Sequence, residues 1–227
     1  MDTNALFHLE YGLYLLSAKG EQDNACIINT VMQVTANPLQ ICIAVNKSNY
    51  THDIIAETKR FNVNVLTQNT PFSVFSDFGF ISGREKNKFE NRKDIARAAN
   101  GIYYLTEHSN AYFTAEVIET PDNSHMQNIQ NENAFSHGGC GMIDLSTHTL
   151  FIARLTDAVS LSEEPSVTYN YYQKHIKPKP EKKPSQDDSP KGYICEVCGY
   201  VYEGENLPED YICPVCKHGA EAFRALS

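Results

Sequence analysis

The chain has 227 residues, 41% hydrophobic and 21% charged, enough apolar material for one medium domain and a small one without disulfides to hold a core. A formal net charge of −9 argues against nucleic-acid binding, which needs clustered Lys and Arg, and suits steering toward a basic protein partner. The N-terminus, Met1-Asp2-Thr3-Asn4, is acidic and polar, and the apolar stretch behind it is broken by His8 and Glu10. It has neither the basic start of a secretory signal nor the length of a membrane span, so we expect a cytoplasmic protein with no membrane or nucleic-acid partner.

In chain order, residues 3–11 read as a short helix, and 12–17 as an apolar strand. Residues 27–35 and 40–45 are rich in β-branched side chains and flank a turn at Asn37-Pro38. Residues 49–59 read as a helix that starts on a capping residue, Asn49, and puts Ile54, Ile55 and Thr58 on one side. Alternation over 61–67 puts Phe61, Val63 and Val65 on one strand face. Residues 102–105, 112–118 and 149–159 complete the strands, and 121–139, polar and rich in Asn and Gln, reads as a mobile loop. Many short strands with few helices predict a mainly β fold, a β-barrel. Residues 177–190 hold four prolines and no other apolar side chain, which makes them a semi-extended linker with a reach of about 40 Å. The expected division is a domain over 1–176, the linker, and a small domain over 191–227.

Of seven cysteines, four form two Cys-x-x-Cys pairs near the C-terminus: Cys195 and Cys198, then Cys213 and Cys216. In a reducing compartment such a cluster is a metal site. Each pair forms a tight knuckle whose backbone N–H groups can donate to thiolate sulfur, and Gly199 allows a positive φ where the chain leaves the first. Spacing alone leaves a structural zinc ribbon open. The surrounding residues, Cys-x-x-Cys-Gly-Tyr-x-Tyr from Cys195, Cys-Pro-x-Cys from Cys213, and Phe223, resemble rubredoxin, and especially the shortened rubredoxin-like domain of rubrerythrins. The resemblance implies one iron held by the four cysteines. Tyr211 stands where rubredoxins usually have Trp, and Lys217 replaces a glycine. Tyr193, Tyr200, Tyr202, Tyr211 and Phe223 are expected to pack beside the metal. Cys26 and Cys42, within apolar strands, read as core thiols, while Cys140 lies among glycines.

The larger part carries further stretches in order: Asn29-Thr30-Val31-Met32-Gln33-Val34-Thr35, Asn37-Pro38, Ala44 to His52, Phe61 to Leu66, Phe78-Gly79-Phe80 with Ser82-Gly83-Arg84, Lys88-Phe89, and Ser146-Thr147-His148-Thr149. Together they resemble the flavin reductase-like, FMN-binding split-barrel family, and the join to a rubredoxin-like domain resembles the high-molecular-weight rubredoxins of anaerobes. The resemblance implies bound FMN. Asn29, Thr30, Lys47, Ser48, Asn49 and Thr51 sit at strand ends or helix starts, where phosphate and pyrimidine donors converge. Val31 and Met32 lie in the same stretch, Gln33 and Thr35 are candidates to face the ring, and Ser82 and Lys88 are further phosphate candidates. His148, in a motif where Ser146 replaces the family's glycine, is the candidate on the nicotinamide side. The implied activity is electron transfer from NAD(P)H or a rubredoxin reductase, through FMN and iron, to a flavo-diiron protein, in a homodimer. The alternatives are an NAD(P)H-dependent flavin reductase with a structural zinc ribbon, and a binding module that has lost its flavin.

Overall fold

The computed structural model describes residue 5 and residues 8–118, 141–178, 192–197, 199–204, 206–213 and 218–226. The chain forms two compact units, Met1–Lys177 and Pro178–Ser227. Of the helix expected over 3–11, residues 3, 4, 6 and 7 lie outside the described residues and residues 9–11 are not helical; most of the linker and all of the loop over 121–139 lie outside the described residues.

The first unit runs β1 (Tyr14–Ala18), β2 (Asn24–Ile28), β3 (Val31–Ala36), β4 (Leu39–Asn46), α1 (Tyr50–Thr58), β5 (Arg60–Leu66), α2 (Phe72–Gly79), β6 (Ile95–Arg97), β7 (Tyr103–Leu105), β8 (Ser109–Val117), β9 (Met142–Asp144) and β10 (His148–Ser160), then a short helical segment over Tyr169–Ile176. The run 27–35, expected as one strand, is two. Thr30 explains the break: its hydroxyl donates to Ala44 O at 2.8 Å and accepts from Ala44 N at 3.2 Å, which moves the chain from the ladder of β1 to that of β4. Helix α2 was also missed, although Pro71 at its start and Val74, Phe75 and Phe78 on its buried side are helix signals.

The sheet order is β2-β1-β5-β8-β10-β4-β3, with β9 beside the start of β10, and the pairing is antiparallel throughout. Strands β2 and β3 thus occupy opposite margins, yet only Asn29 and Thr30 separate them along the chain. So short a connection spans at most about 10 Å, so the sheet must curl until its margins meet. The result is the split β-barrel expected from the sequence, with a seam that carries no ladder.

Both faces of the central strands are covered, while β3 is largely exposed. One packs Leu16, Ile43, Val45, Phe61, Val63 and Phe151 with Ile54 and Ile55 of α1. The other packs Leu13, Leu15 and Leu66 under Val74, Phe75 and Phe78 of α2. The alternation in β5 proves incomplete, for Asn62 and Asn64 are as buried as Phe61 and Val63. They act as side-chain rungs. Asn62 Nδ2 donates to Ile102 O at 3.1 Å. Asn64 Nδ2 donates to Leu105 O at 3.2 Å and to Ser109 Oγ at 3.0 Å, while its Oδ1 accepts from Leu105 N at 3.2 Å. Ser17 Oγ donates to Tyr103 O at 2.6 Å. The β6–β7 ribbon is thereby held to β1 and β5 without a shared ladder. No helix among the described residues is long and apolar enough to cross a membrane.

In the second unit, β11 (Tyr193–Cys195), β12 (Val201–Tyr202) and β13 (Phe223–Ala225) form an antiparallel sheet in the order β12-β11-β13.

Asn64→Ala would leave the Leu105 N–H buried without its acceptor and is expected to lower the stability of the first unit by about 2 to 4 kcal/mol. Chemical denaturation would read this as a lower midpoint with an unchanged slope. A loss within error of zero would show that the rung carries no weight.

Candidate functional site

In the second unit, β11 delivers Cys195 and the segment before β13 delivers Cys213, both fully buried. Tight backbone bonds shape each position. Gly199 N donates to Cys195 O at 2.7 Å with Gly199 at φ 77°, the positive value its position calls for. Cys195 N donates to Tyr200 O, and Cys213 N to His218 O, both at 2.8 Å. Tyr211 packs between Tyr202 (ring centroids 4.7 Å apart) and the edge of Phe223 (5.4 Å). The Tyr200 hydroxyl beside it, at 3.4 Å, pushes the Tyr211 phenol up to about 12. Cys198 and Cys216 lie outside the described residues. Two buried thiols, each belonging to a Cys-x-x-Cys pair, fit a tetrahedral thiolate-bound metal by the chemistry of the donor set.

At one end of the barrel, where β4 stops and α1 begins, polar side chains join into an unbroken chain. Lys47 Nζ pairs with Asp144 Oδ1 at 2.5 Å. Thr149 Oγ1 lies 3.5 Å from the same oxygen and 2.9 Å from His52 Nε2. His52 Nδ1 meets Asp53 Oδ1 at 3.0 Å, and Arg84 Nη2 pairs with Asp53 Oδ2 while its guanidinium lies 5.0 Å from the centre of the Tyr50 ring. The Lys47 bond holds the Asp144 carboxyl below the usual range. Burial pushes Asp53 up, but hydrogen bonds from His52 and Arg84 outweigh it and leave Asp53 low. The chain ties together the ends of β4 and β9, the start of β10, the first turn of α1 and the segment after α2.

Several of the residues expected to bind a ligand gather at this end. Lys47, Ser48 and Asn49 form the turn into α1, shaped by Asn46, which accepts from Ser48 N at 2.9 Å and Asn49 N at 3.0 Å. Asn49 occupies the N-cap but makes no side-chain cap bond. His148 pairs in register with Asn46, and its Nδ1 lies 2.8 Å from Thr147 Oγ1. Ser82 is exposed and accepts from Arg84 N. Asn29 and Thr30 lie at the seam, and Val31, Met32, Gln33 and Thr35 on the marginal strand β3, where Met32 is 61% and Val34 46% exposed. Thr35 Oγ1 is bonded locally to Pro38 O and Gln40.

Two of the expected residues point inward. Thr51 is fully buried and its hydroxyl accepts from Asn24 Nδ2 at 2.9 Å. Lys88 is also buried, and its ammonium donates to Ala25 O at 2.8 Å and Phe78 O at 2.9 Å. Both side chains act as internal struts. Cys26 is buried nearby and Cys42 is half-buried, while Cys140 lies outside the described residues. The sequence reading assigned no role to His52, Asp53, Arg84, Asp144 or Thr149. His52 and Asp53 follow the expected binding turn directly, which was the one available signal. Asp144 carried none.

A lysine, a serine and a helix start without a side-chain cap, beside an exposed apolar strand, fit a ligand with an anionic end and a flat apolar body. The chain matches two family models, the flavin reductase like domain over residues 6–179 and the rubrerythrin, rubredoxin-like domain over residues 193–224. It is 35% identical over 215 residues to the high molecular weight rubredoxin of Moorella thermoacetica, covering 89% of this chain and 83% of that protein. It is 30% identical over 174 residues to the ferric-chelate reductase (NAD(P)H) of Archaeoglobus fulgidus, covering 76% of this chain and 89% of that one. Among solved structures, BorF, the flavin reductase component of a bacterial two-component tryptophan halogenase, shares the fold with a TM-score of 0.57 at 19% identity, over 74% of this chain and 93% of that one.

A carboxylate with a lowered pKa contributes stability above its unfolded value and loses it as the pH falls through the folded one. Arg84→Ala is expected to return the Asp53 titration toward the ordinary value of about 3.9, read from its carboxyl carbon shift against pH. An unmoved midpoint would mean that the Arg84 contact is absent in solution.

Proposed function

The chain belongs to the flavin reductase-like family and carries a C-terminal rubredoxin-like domain, and from that premise we propose that it is an FMN- and iron-containing electron carrier. Its donor is NAD(P)H or a rubredoxin reductase, and its acceptor a redox protein such as a flavo-diiron oxygen or nitric oxide reductase. The observation that carries the reading is the union, in one chain, of a flavin reductase-like domain with two Cys-x-x-Cys pairs. FMN, when bound, supplies the conversion of a hydride's electron pair into single electrons, and the iron a one-electron store.

The residues divide the work. Lys47, Ser48 and the start of α1 hold the phosphate. Asn29, Thr30 and the β3 residues Val31, Met32, Gln33 and Thr35 line the ring. His148, beside the end of β4, faces the nicotinamide. Cys195, Cys198, Cys213 and Cys216 bind the iron, and the aromatic packing of Tyr202, Tyr211 and Phe223 limits its access to water. The name of the Archaeoglobus relative, a ferric-chelate reductase (NAD(P)H), supports a nicotinamide donor. The exposed Met32, Val34 and Leu39 support a homodimer that covers β3. Free thiols and an acidic surface support a cytoplasmic carrier that meets a basic partner.

Full-length protein is expected to contain FMN and one iron per chain. In anaerobic stopped flow with NADH or NADPH, the flavin absorbance is expected to bleach before the ferric-thiolate absorbance. Cys213→Ser is expected to lose the iron and keep the FMN. Zinc in place of iron in native material, or iron reduced while the flavin stays oxidised, would overturn the proposal and favour a reductase with a structural zinc ribbon.

A further inference from the structure

The outer face of α1 borders an open cavity of about 580 Å³ to which the reading above gives no role. It lies between α1, the β1–β2 turn, the start of β5 and the turn of the β6–β7 ribbon. Its floor is apolar, with Ile54 4% and Ile102 3% exposed. Asn100 beside them is fixed, its Nδ2 donating to Asn62 Oδ1 at 2.7 Å and its Oδ1 accepting from Ile102 N at 3.1 Å. At one end stands the Tyr50 ring, with the Arg84 guanidinium 5.0 Å from its centre. The rim carries both signs of charge, Lys19 and Arg60 against Glu21 and Glu57. Among the described residues none of these four makes an ion pair.

We propose that this cavity binds the adenosine diphosphate half of a dinucleotide. The adenine lies over Ile54 and Ile102 against the Tyr50 ring, as flat bases do on apolar and aromatic walls. Glu21 and Glu57 accept from the ribose hydroxyls, the role a carboxylate plays in other dinucleotide sites. Lys19, Arg60 and Arg84 meet the diphosphate, and Arg84 keeps donors free beside its bond to Asp53. A free phosphate would leave the apolar floor unused, and an apolar ligand would leave the cations unused; an ADP group uses both. Its position agrees. Tyr50 is the first residue of α1, so the cavity opens where the turn proposed to hold the flavin phosphate ends, and it follows the helix to Glu57, about 10 Å on. The inference rests on the flavin-linked reading above and names how a second nucleotide is held beside the flavin. Two dinucleotides bring an ADP group there: FAD, whose flavin phosphate continues into it, and the nicotinamide donor.

The test is calorimetric titration of ADP into the full-length protein with its flavin and iron in place. ADP is expected to bind at one site per chain. Tyr50→Ala is expected to weaken it at least about fivefold, the scale of one base stack, and to leave inorganic pyrophosphate unchanged. Arg60→Gln is expected to weaken ADP and pyrophosphate alike, about two- to fivefold, as for an exposed ion pair. Glu57→Trp puts a larger side chain into the cavity from an exposed position and is expected to abolish ADP binding with the flavin content unchanged. Two further arms identify the source. If it is FAD, flavin-freed protein binds FAD more tightly than FMN, and Glu57→Trp removes the difference. If it is the donor, FAD and FMN bind alike, ADP competes with NADH or NADPH in flavin reduction, and Glu57→Trp raises KM while keeping kcat. ADP that does not bind, that binds equally to wild type, Tyr50→Ala and Glu57→Trp, or that binds with neither source signature overturns the inference and leaves the flavin reading standing. A chain that takes up neither FMN nor FAD, seen in its absorbance independently of ADP, overturns the reading itself, and the inference with it.

Discussion

The architecture of the larger unit depends on one short constraint, the Asn29–Thr30 turn that joins strands on opposite margins of the sheet. Thr30 clasps Ala44 through both its donor and its acceptor capacity, so β3 is set against β4 where β2 leaves off. Closure follows from chain connectivity, because the two margins cannot lie farther apart than the turn allows. The same closure brings the end of β4, the start of α1 and the start of β10 to one end of the barrel. Lys47 and His148 come from distant parts of the sequence and sit beside one another because Asn46 and His148 share a register.

The two units solve the problem of holding polar groups differently. In the larger one, buried Asn and Ser side chains replace a missing ladder, and a polar series runs from Arg84 through Asp53, His52, Thr149 and Asp144 to Lys47, with a cation at each end. Most of these charges are partly exposed, so each pair adds little stability. Their effect is positional, since five chain segments are brought into one hydrogen-bonded series. In the smaller unit a three-stranded sheet has little core of its own. Backbone bonds at Gly199, Cys195 and Cys213, with the packed rings, set the thiols in place.

Much of this was legible in the sequence, for reasons that differ by feature. The paired cysteines, Gly199 and the aromatic residues around them form a local pattern, and local patterns survive translation into structure. Runs of β-branched residues gave most of the strands, because burial against a sheet rewards them. The break at Thr30 was hidden because β2 and β3 are both β-rich and the residue that parts them acts through a contact 14 positions away. Asn62 and Asn64 looked like the wet side of an alternating strand until a ribbon from much later in the chain covered them. Lys88 and Thr51 carried the right chemistry for a phosphate but point inward, and direction is set by packing that a motif does not contain. Asp144 became visible only once β9 was seen to lie beside β10.

The open seam has one more effect. Strand β3 carries no charged residue, no proline within it and three exposed apolar side chains with its neighbour β4, Met32, Val34 and Leu39. Such a border is a template onto which other extended chains can add. Colloidal behaviour, rather than chemistry, is therefore the first property to suffer in any protomer whose border is left bare.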